Sequence, residues 1–358
     1  MKIIDYYIIR KFLGTFFYAI FLLIFVVIIF DVSENIDEFL KNKAPLKEIV
    51  INYYLNFIPY FINLFIYLFT FISVVFFTSK MASNTEIIAI LNGGMSFYRL
   101  LRPYLMSATV LALLSFYLTN FLIPVTNETR RKFRGKYIKK LEDNKDRNLH
   151  LQIKPGVFIY VERYNISSQY GTRFTIEKFK ENKLYYKLIA EKIYWKEETK
   201  SWQIKKFYER KFDNDIETFR QGDKLDTTFS LQPVDLYTLK EDYEIMNYHE
   251  LNDKIEYERL KGSKNLKYYE VEKGKRLASP FATLVMTLIG FSLSNRKIRG
   301  GIGMHLGLGL GIAFSFILFM QISVVFAISG NLPPLFAAWI PIILFSIIAF
   351  ILMKSSPK

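Results

Sequence analysis

The stretch RRKFRGKYIKK, Arg130 to Lys140, carries seven cations and no acid. Beginning a few residues after the apolar stretch that ends near Val125, this run suits an anionic partner such as a lipid surface, or is a solvated helix face. Other chemistries find no support. The Gly-Lys pairs, Gly135-Lys136 and Gly274-Lys275, lack the upstream glycine and the following Ser or Thr of a P-loop, so the chain is not itself a P-loop ATPase. GGIGMHLGLGLG, Gly300 to Gly311, is not G-x-G-x-x-G and follows no strand. There is no cysteine, hence no disulfide or thiolate metal site, and His150, His249 and His305 lack ligand spacing. Acids between the apolar stretches are scattered. No catalytic residue, metal or cofactor is expected.

A second stretch, SKMASNTEIIAILNGGMSFYRLLRP, Ser79 to Pro103, reads as a short helix near 83–93. Ser83 or Asn84 can cap it, Ile87, Ile88, Ile90 and Leu91 lie on adjoining faces, and Gly93-Gly94 can stop it. So short a helix cannot bury its own apolar surface. It either lies on a membrane surface or docks in a partner's groove with Glu86 at its charged edge. Gly303, Gly307 and Gly311 recur every four residues, the pattern of close helix packing in a membrane.

The elements that must carry these residues are mostly apolar. Of 358 residues 51% are hydrophobic, and several uncharged stretches are long enough to cross a hydrocarbon core of about 30 Å. Six spans are expected: Phe12–Phe30, one within Ile49–Ser79, Pro103–Val125, Leu277–Asn295, Gly301–Ile328 and Leu335–Met353. The first is too long for a usual signal-peptide core and no small-residue cleavage site follows it, so it reads as a retained span. Pro59 inside the second predicts a kink or an interfacial first turn. SGNLPP, Ser329 to Pro334, leaves room only for a tight hairpin. The net charge of +15, beside so many spans, favours anionic lipid over nucleic acid, and no nucleic-acid partner is expected.

Between spans three and four the composition turns polar. FIYVERY (Phe158–Tyr164), RFTIEKF (Arg173–Phe179), LYYKLIAEKIYW (Leu184–Trp195) and SWQIKKFYERKF (Ser201–Phe212) read as strands of an antiparallel sandwich or open roll. YHELNDKIEYERLKG, Tyr248 to Gly262, reads as an amphipathic helix. Short-loop charges set the orientation. Lys2, Arg10, Lys11, Lys80, Arg99, Arg102, Arg296, Lys297, Arg299, Lys354 and Lys358 fall on one side, against Lys41, Lys43 and Lys47 on the other. Both termini are therefore expected in the cytoplasm. The strand domain and its opening basic run then lie outside, against the usual bias.

The order of these features resembles the LptF/LptG permease subunits of the lipopolysaccharide-export ABC transporter. The residues that carry the likeness are TEIIAILNGG, Pro124 with RRKFR after it, FKENKLYYKLIAEKIYWKEETKSWQI, MNYHEL, HLGLGLGIAF and LPPLFAAWIP. The ending is closer to LptG than to LptF. The resemblance implies an α-helical membrane protein of six transmembrane helices with a periplasmic β-jellyroll-like domain between helices three and four. Its expected divisions are 1–126, 127–265 and 266–358. It also implies a bacterial inner-membrane location, a sister permease, an LptB-like ABC ATPase dimer and a periplasmic bridge of the LptC/LptA kind. On this likeness, Glu86, Ile87, Ile90 and Leu91 form the coupling helix that seats in the ATPase. Lys41, Arg131 and Arg134, with Lys43 as an auxiliary, bind the phosphorylated head of lipopolysaccharide. Gly303, Gly307 and Gly311 face a lateral gate shared with the sister permease.

One departure stands out. Where relatives carry a further lysine shortly after span one, this chain has Glu34, with Asp31 and Asp37 nearby. Either Lys43 or Lys47 compensates, or the lipid carries fewer phosphates. The expected function is extraction of lipopolysaccharide from the inner membrane, driven by ATP hydrolysed on another chain, and delivery to the bridge. Two rivals remain: an export permease for another anionic lipid, and a membrane-anchored periplasmic adaptor that transports nothing.

Overall fold

A computed structural model describes residues 3–138, 147–296 and 301–355, apart from 167, 182, 214–215, 230, 237–241 and 264. Lys2, Lys139, Lys140, Lys297, Arg299, Gly300 and Lys358 from the reading above lie outside the described residues. The chain forms two compact units, one of Met1–Ile138 with Glu270–Lys358 and one of Lys139–Tyr269.

The first unit contains six helices long and apolar enough to cross a membrane. They are α1 (Ile3–Lys41), α2 (Leu46–Ser83), α4 (Phe97–Tyr137), α6 (Leu266–Ser294), α7 (Gly301–Ser329) and α8 (Pro334–Ser355), with the short α3 (Glu86–Asn92) joining α2 to α4. All six expected spans are present, and the first four are longer than hydropathy alone indicates. At 1.5 Å per residue, the 39 residues of α1 extend ~58 Å, well past a hydrocarbon core. Charged residues from Asp31 to Lys41 continue the same helix because nothing in ENIDEFLK breaks it.

The irregularity expected near Pro59 falls one turn earlier, as a π-helical segment at Ile49–Tyr54. Widening the helix there displaces the regular carbonyl partners. The side-chain amide of Asn56 takes up two of them, Ile51 O at 2.8 Å and Asn52 O at 3.2 Å. A second π segment, Leu118–Leu122, precedes Pro124 in α4.

Helices α1, α2, α4 and α6 meet through a chain of rings. Phe12 packs on Phe77 (5.9 Å), Phe77 on Tyr104 (5.2 Å) and Tyr104 on Phe291 (4.6 Å). Thr78 donates to the Tyr104 hydroxyl at 3.0 Å, satisfying a buried polar atom inside this core. At the end where the chain begins, Arg99 grips Asp5 with two bonds of 2.7 and 2.6 Å.

Within α7, the glycine that admits a neighbouring helix is not one of the three in the four-residue repeat. A Cβ on Gly303, Gly307 or Gly311 would meet nothing within 4 Å, whereas one on Gly309 would lie 3.1 Å from Phe71 of α2. Leucine at 309 should therefore overpack and destabilise the chain by about 1–3 kcal/mol. Gly307→Leu should leave its thermal unfolding in detergent unchanged. In an assembled transporter, the same Gly307→Leu should impair pairing if its face meets a sister permease.

The second unit is a six-stranded antiparallel sheet: β1 (Arg147–Lys154), β2 (Val157–Asn165), β3 (Tyr170–Lys180), β4 (Lys183–Lys196), β5 (Ser201–Asp213) and β6 (Ile216–Thr227). Each strand pairs with its sequence neighbour in the order β1-β2-β3-β4-β5-β6. The four strands read from the sequence are β2 to β5. The flanking β6 escaped because its mostly exposed residues give no clean alternation, whereas β1 was missed although Leu149, Leu151 and Ile153 alternate with polar residues. Helix α5 (Tyr248–Leu260) follows, closed by a capping box between Asn247 and Glu250.

Each of the four central strands breaks its inside–outside alternation at one transverse line. Buried residues run Ile159, Val161, then Tyr164; Gly171, then Phe174, Ile176; Leu188, Ala190, then Ile193; and Trp202, Ile204, then Phe207. In each strand the period slips by one. Along this line Asn148, Arg173 and Lys206 hold positive φ angles of 57°, 48° and 49°. Aligned irregularities of this kind bend a sheet. The curled meander wraps its buried side around Trp202, whose indole N–H donates to Leu231 O at 2.8 Å, and so fits a jellyroll-like domain.

Candidate functional site

The described part of the basic run, Arg130 to Tyr137, forms about the last two turns of α4. Phe133 and Tyr137 of that segment are buried in an aromatic cluster with Phe39 of α1 and with Tyr53 and Tyr54 of α2. The Phe39 ring lies 6.0 Å from Phe133, and Tyr53 lies 5.4 Å from it. Asn42, just past α1, donates its amide to Tyr137 O at 2.8 Å. These contacts fasten the C-terminal ends of α1 and α4 together. The elements carrying Lys41, Lys43, Arg131 and Arg134 therefore come to one end of the helical unit.

Lys41 and Lys43 are exposed, and Arg131 and Arg134 are half-buried one helical turn apart. Half-burial favours arginine, whose weakly hydrated plane keeps its charge while losing water. Arg130 is held differently, with its guanidinium over the rings of Tyr60 (5.0 Å) and Phe57 (5.7 Å). Lys132 pairs with Glu128 at 2.6 Å and Lys136 with Glu48 at 3.5 Å.

Sequence reasoning missed how the acids beside this site are handled. Asp31 accepts hydrogen bonds from Tyr53 (3.1 Å) and Tyr54 (3.0 Å). Two phenols thus hold its carboxylate against the aromatic cluster, while Glu34 and Asp37 are exposed. The adjacent tyrosines were the available signal, but their partner lies 22 residues away.

Helix α3 lies within the expected stretch and turns a different face outward. Ile87 is 1% exposed and packs into the core shared by α1, α2 and α4, with Ile90 and Leu91 partly buried against it. Ile88, at 47%, is the large apolar side chain turned outward. Glu86 is held by the Tyr7 hydroxyl at 3.1 Å and the Asn84 amide at 3.2 Å. Neither Ser83 nor Asn84 caps the helix. Thr85 occupies the cap at φ 63° without a side-chain bond, and Gly93 with Gly94 ends the helix as expected.

Among the described residues no group of His, Cys, Asp and Glu could hold a metal ion. Six helices long and apolar enough to cross a membrane, interrupted after the third by an antiparallel sheet domain, with basic residues clustered where α1 and α4 end, define a multi-pass membrane protein. The sequence model of the family described as lipopolysaccharide export system permease LptF/LptG matches residues 6–355. The chain belongs to this family and is a lipopolysaccharide export permease. The match takes LptF and LptG together. A search of curated proteins returned no match.

Proposed function

We propose that this permease works as one half of an ABC transporter, paired with a sister permease above two copies of a separate ATPase chain. It draws lipopolysaccharide from the outer leaflet of the inner membrane and hands it to a periplasmic bridge. Both termini and α3 face the cytoplasm, and the sheet domain faces the periplasm. The observation that supports this reading is the joining of α1 to α4 through Phe39, Phe133 and Asn42, at the end of the helical unit whose elements carry half-buried Arg131 and Arg134 and exposed Lys41 and Lys43. A phosphorylated lipid head can take charge-assisted bonds from the arginines and a point charge from the lysines at this end. Within α3, Ile88 with Glu86 contacts the ATPase, while Ile87 transmits the contact into the core.

The test is reconstitution. The chain is co-expressed with a sister permease and an ABC ATPase, and release of lipopolysaccharide from proteoliposomes to a soluble bridge protein is followed with and without ATP. ATP-dependent release is expected. Release of a different anionic lipid under the same conditions would move the cargo assignment to that lipid, and failure to form a complex with any ATPase would favour the adaptor.

A further inference from the structure

Strand register sets a rank of cations across the sheet. Arg163 pairs with Thr172, Thr172 with Lys192, Lys192 with Lys205, and Lys205 with Lys224, so one row crossing β2 to β6 carries four cations and a hydroxyl. At about 4.8 Å between strands, the row is some 19 Å long. Its residues stand on the face away from the apolar core, because the residues flanking them along each central strand, such as Tyr164, Gly171, Ile193 and Ile204, are buried. Like charges directly opposite one another weaken a sheet, so folding gives no reason for Lys192, Lys205 and Lys224 to stand in line.

The neighbouring row, on the crease, is balanced. Arg173 pairs with Glu162 at 3.3 Å and Lys206 with Glu191 at 3.2 Å. Those two acids are thus occupied, whereas Arg163 and Lys192 make no ion pair among the described residues. Both line a groove of 460 Å³ with Thr172, Asn165 and Tyr170, and the paired Glu162 and Arg173 together with Glu191 line it too. The Tyr170 ring lies 5.7 Å from Tyr194, and the Lys205 ammonium sits 4.7 Å from the Tyr194 ring centroid.

We infer that this groove binds a phosphate-bearing saccharide. The two cations, without acid partners among the described residues, flank the Thr172 hydroxyl, which can bond a sugar hydroxyl, and the Tyr170 ring in the groove offers an apolar surface for a sugar ring. An extended acidic peptide would use the cations but has no call on the aromatic surface. Naming the cargo's own phosphorylated core sugars as the ligand rests on the transport reading; the site itself does not.

The test uses the full chain in nanodiscs. The probes are a phosphorylated core oligosaccharide freed of its lipid, the same oligosaccharide after dephosphorylation, and inorganic phosphate. Binding of the first should fall by at least about 10-fold on dephosphorylation and by a similar factor in the double variant Arg163→Gln with Lys192→Gln. Lys200→Gln, in the turn between β4 and β5, should leave it unchanged. The double variant should unfold at the same or a higher temperature, since it removes like charges from the row, which separates lost binding from lost folding. Equal binding by the double variant, equal loss with Lys200→Gln, or complete displacement by inorganic phosphate at the same concentration would each overturn the site. None of these outcomes bears on ATP-driven release, so the site and the transport reading can fail separately.

Discussion

Replacing Arg131 and Arg134 together with alanine should lower lipopolysaccharide copurification by about 100-fold or more, because each charge-assisted bond to phosphate contributes roughly 1.5–3 kcal/mol in a partly desolvated site. Both side chains are half-buried beside the junction of α1 and α4, where solvent screening is weaker than on an open helix face. Arg134→Lys should already reduce binding, since lysine keeps the charge and loses the planar fork. Lys132→Ala should do little, because Lys132 is exposed and already pairs with Glu128. Crosslinking of the purified complex to lipid checks all three. Equal losses at all these positions, repaired by a lysine at any of them, would instead describe a bulk field on anionic lipid and remove the clamp.

Ile88→Asp should weaken association with the ATPase by about 10- to 100-fold, since it removes an exposed apolar side chain that the complex buries, worth roughly 1.5–3 kcal/mol, and leaves a carboxylate to be desolvated. The chain itself should fold normally, because Ile88 touches little of its own core. Ile87→Ala should behave in the opposite way: it opens a cavity beneath α3 that costs about 2–5 kcal/mol and lowers yield and melting temperature before it affects any partner. Glu86→Arg combines both effects, since it loses the bonds from Tyr7 and Asn84 and reverses the charge at the edge of the helix. Pull-down of the ATPase together with thermal unfolding of the permease separates the cases. Normal assembly with Ile88→Asp would take α3 out of the coupling interface.

What the sequence by itself determined is what depends on local order. The six spans follow from the length of their apolar runs, four strands from their alternation, and the end of α3 from Gly93-Gly94, because each of these properties is complete within some twenty consecutive residues. The ends of the long helices were less legible: hydropathy stops at Phe30, but helical hydrogen bonding continues to Lys41 through residues that carry charge and still favour a helix.

Tertiary structure alone decided which way the side chains point and what they meet. Ile87 and Ile88 are equally apolar neighbours, and only the core shared by α1, α2 and α4 sends one inward and the other out. Gly309 rather than Gly307 takes the close contact because Phe71 of α2 lies against that side of α7. Asp31 is an acid near the end of span one whose carboxylate takes bonds from two tyrosines of another helix. The row from Arg163 to Lys224 exists only because four strand pairings hold one register through the crease, each pairing setting which residue faces which across the sheet. Apolar length and period are properties of a chain segment, whereas direction, pairing and desolvation belong to contacts between segments far apart in sequence.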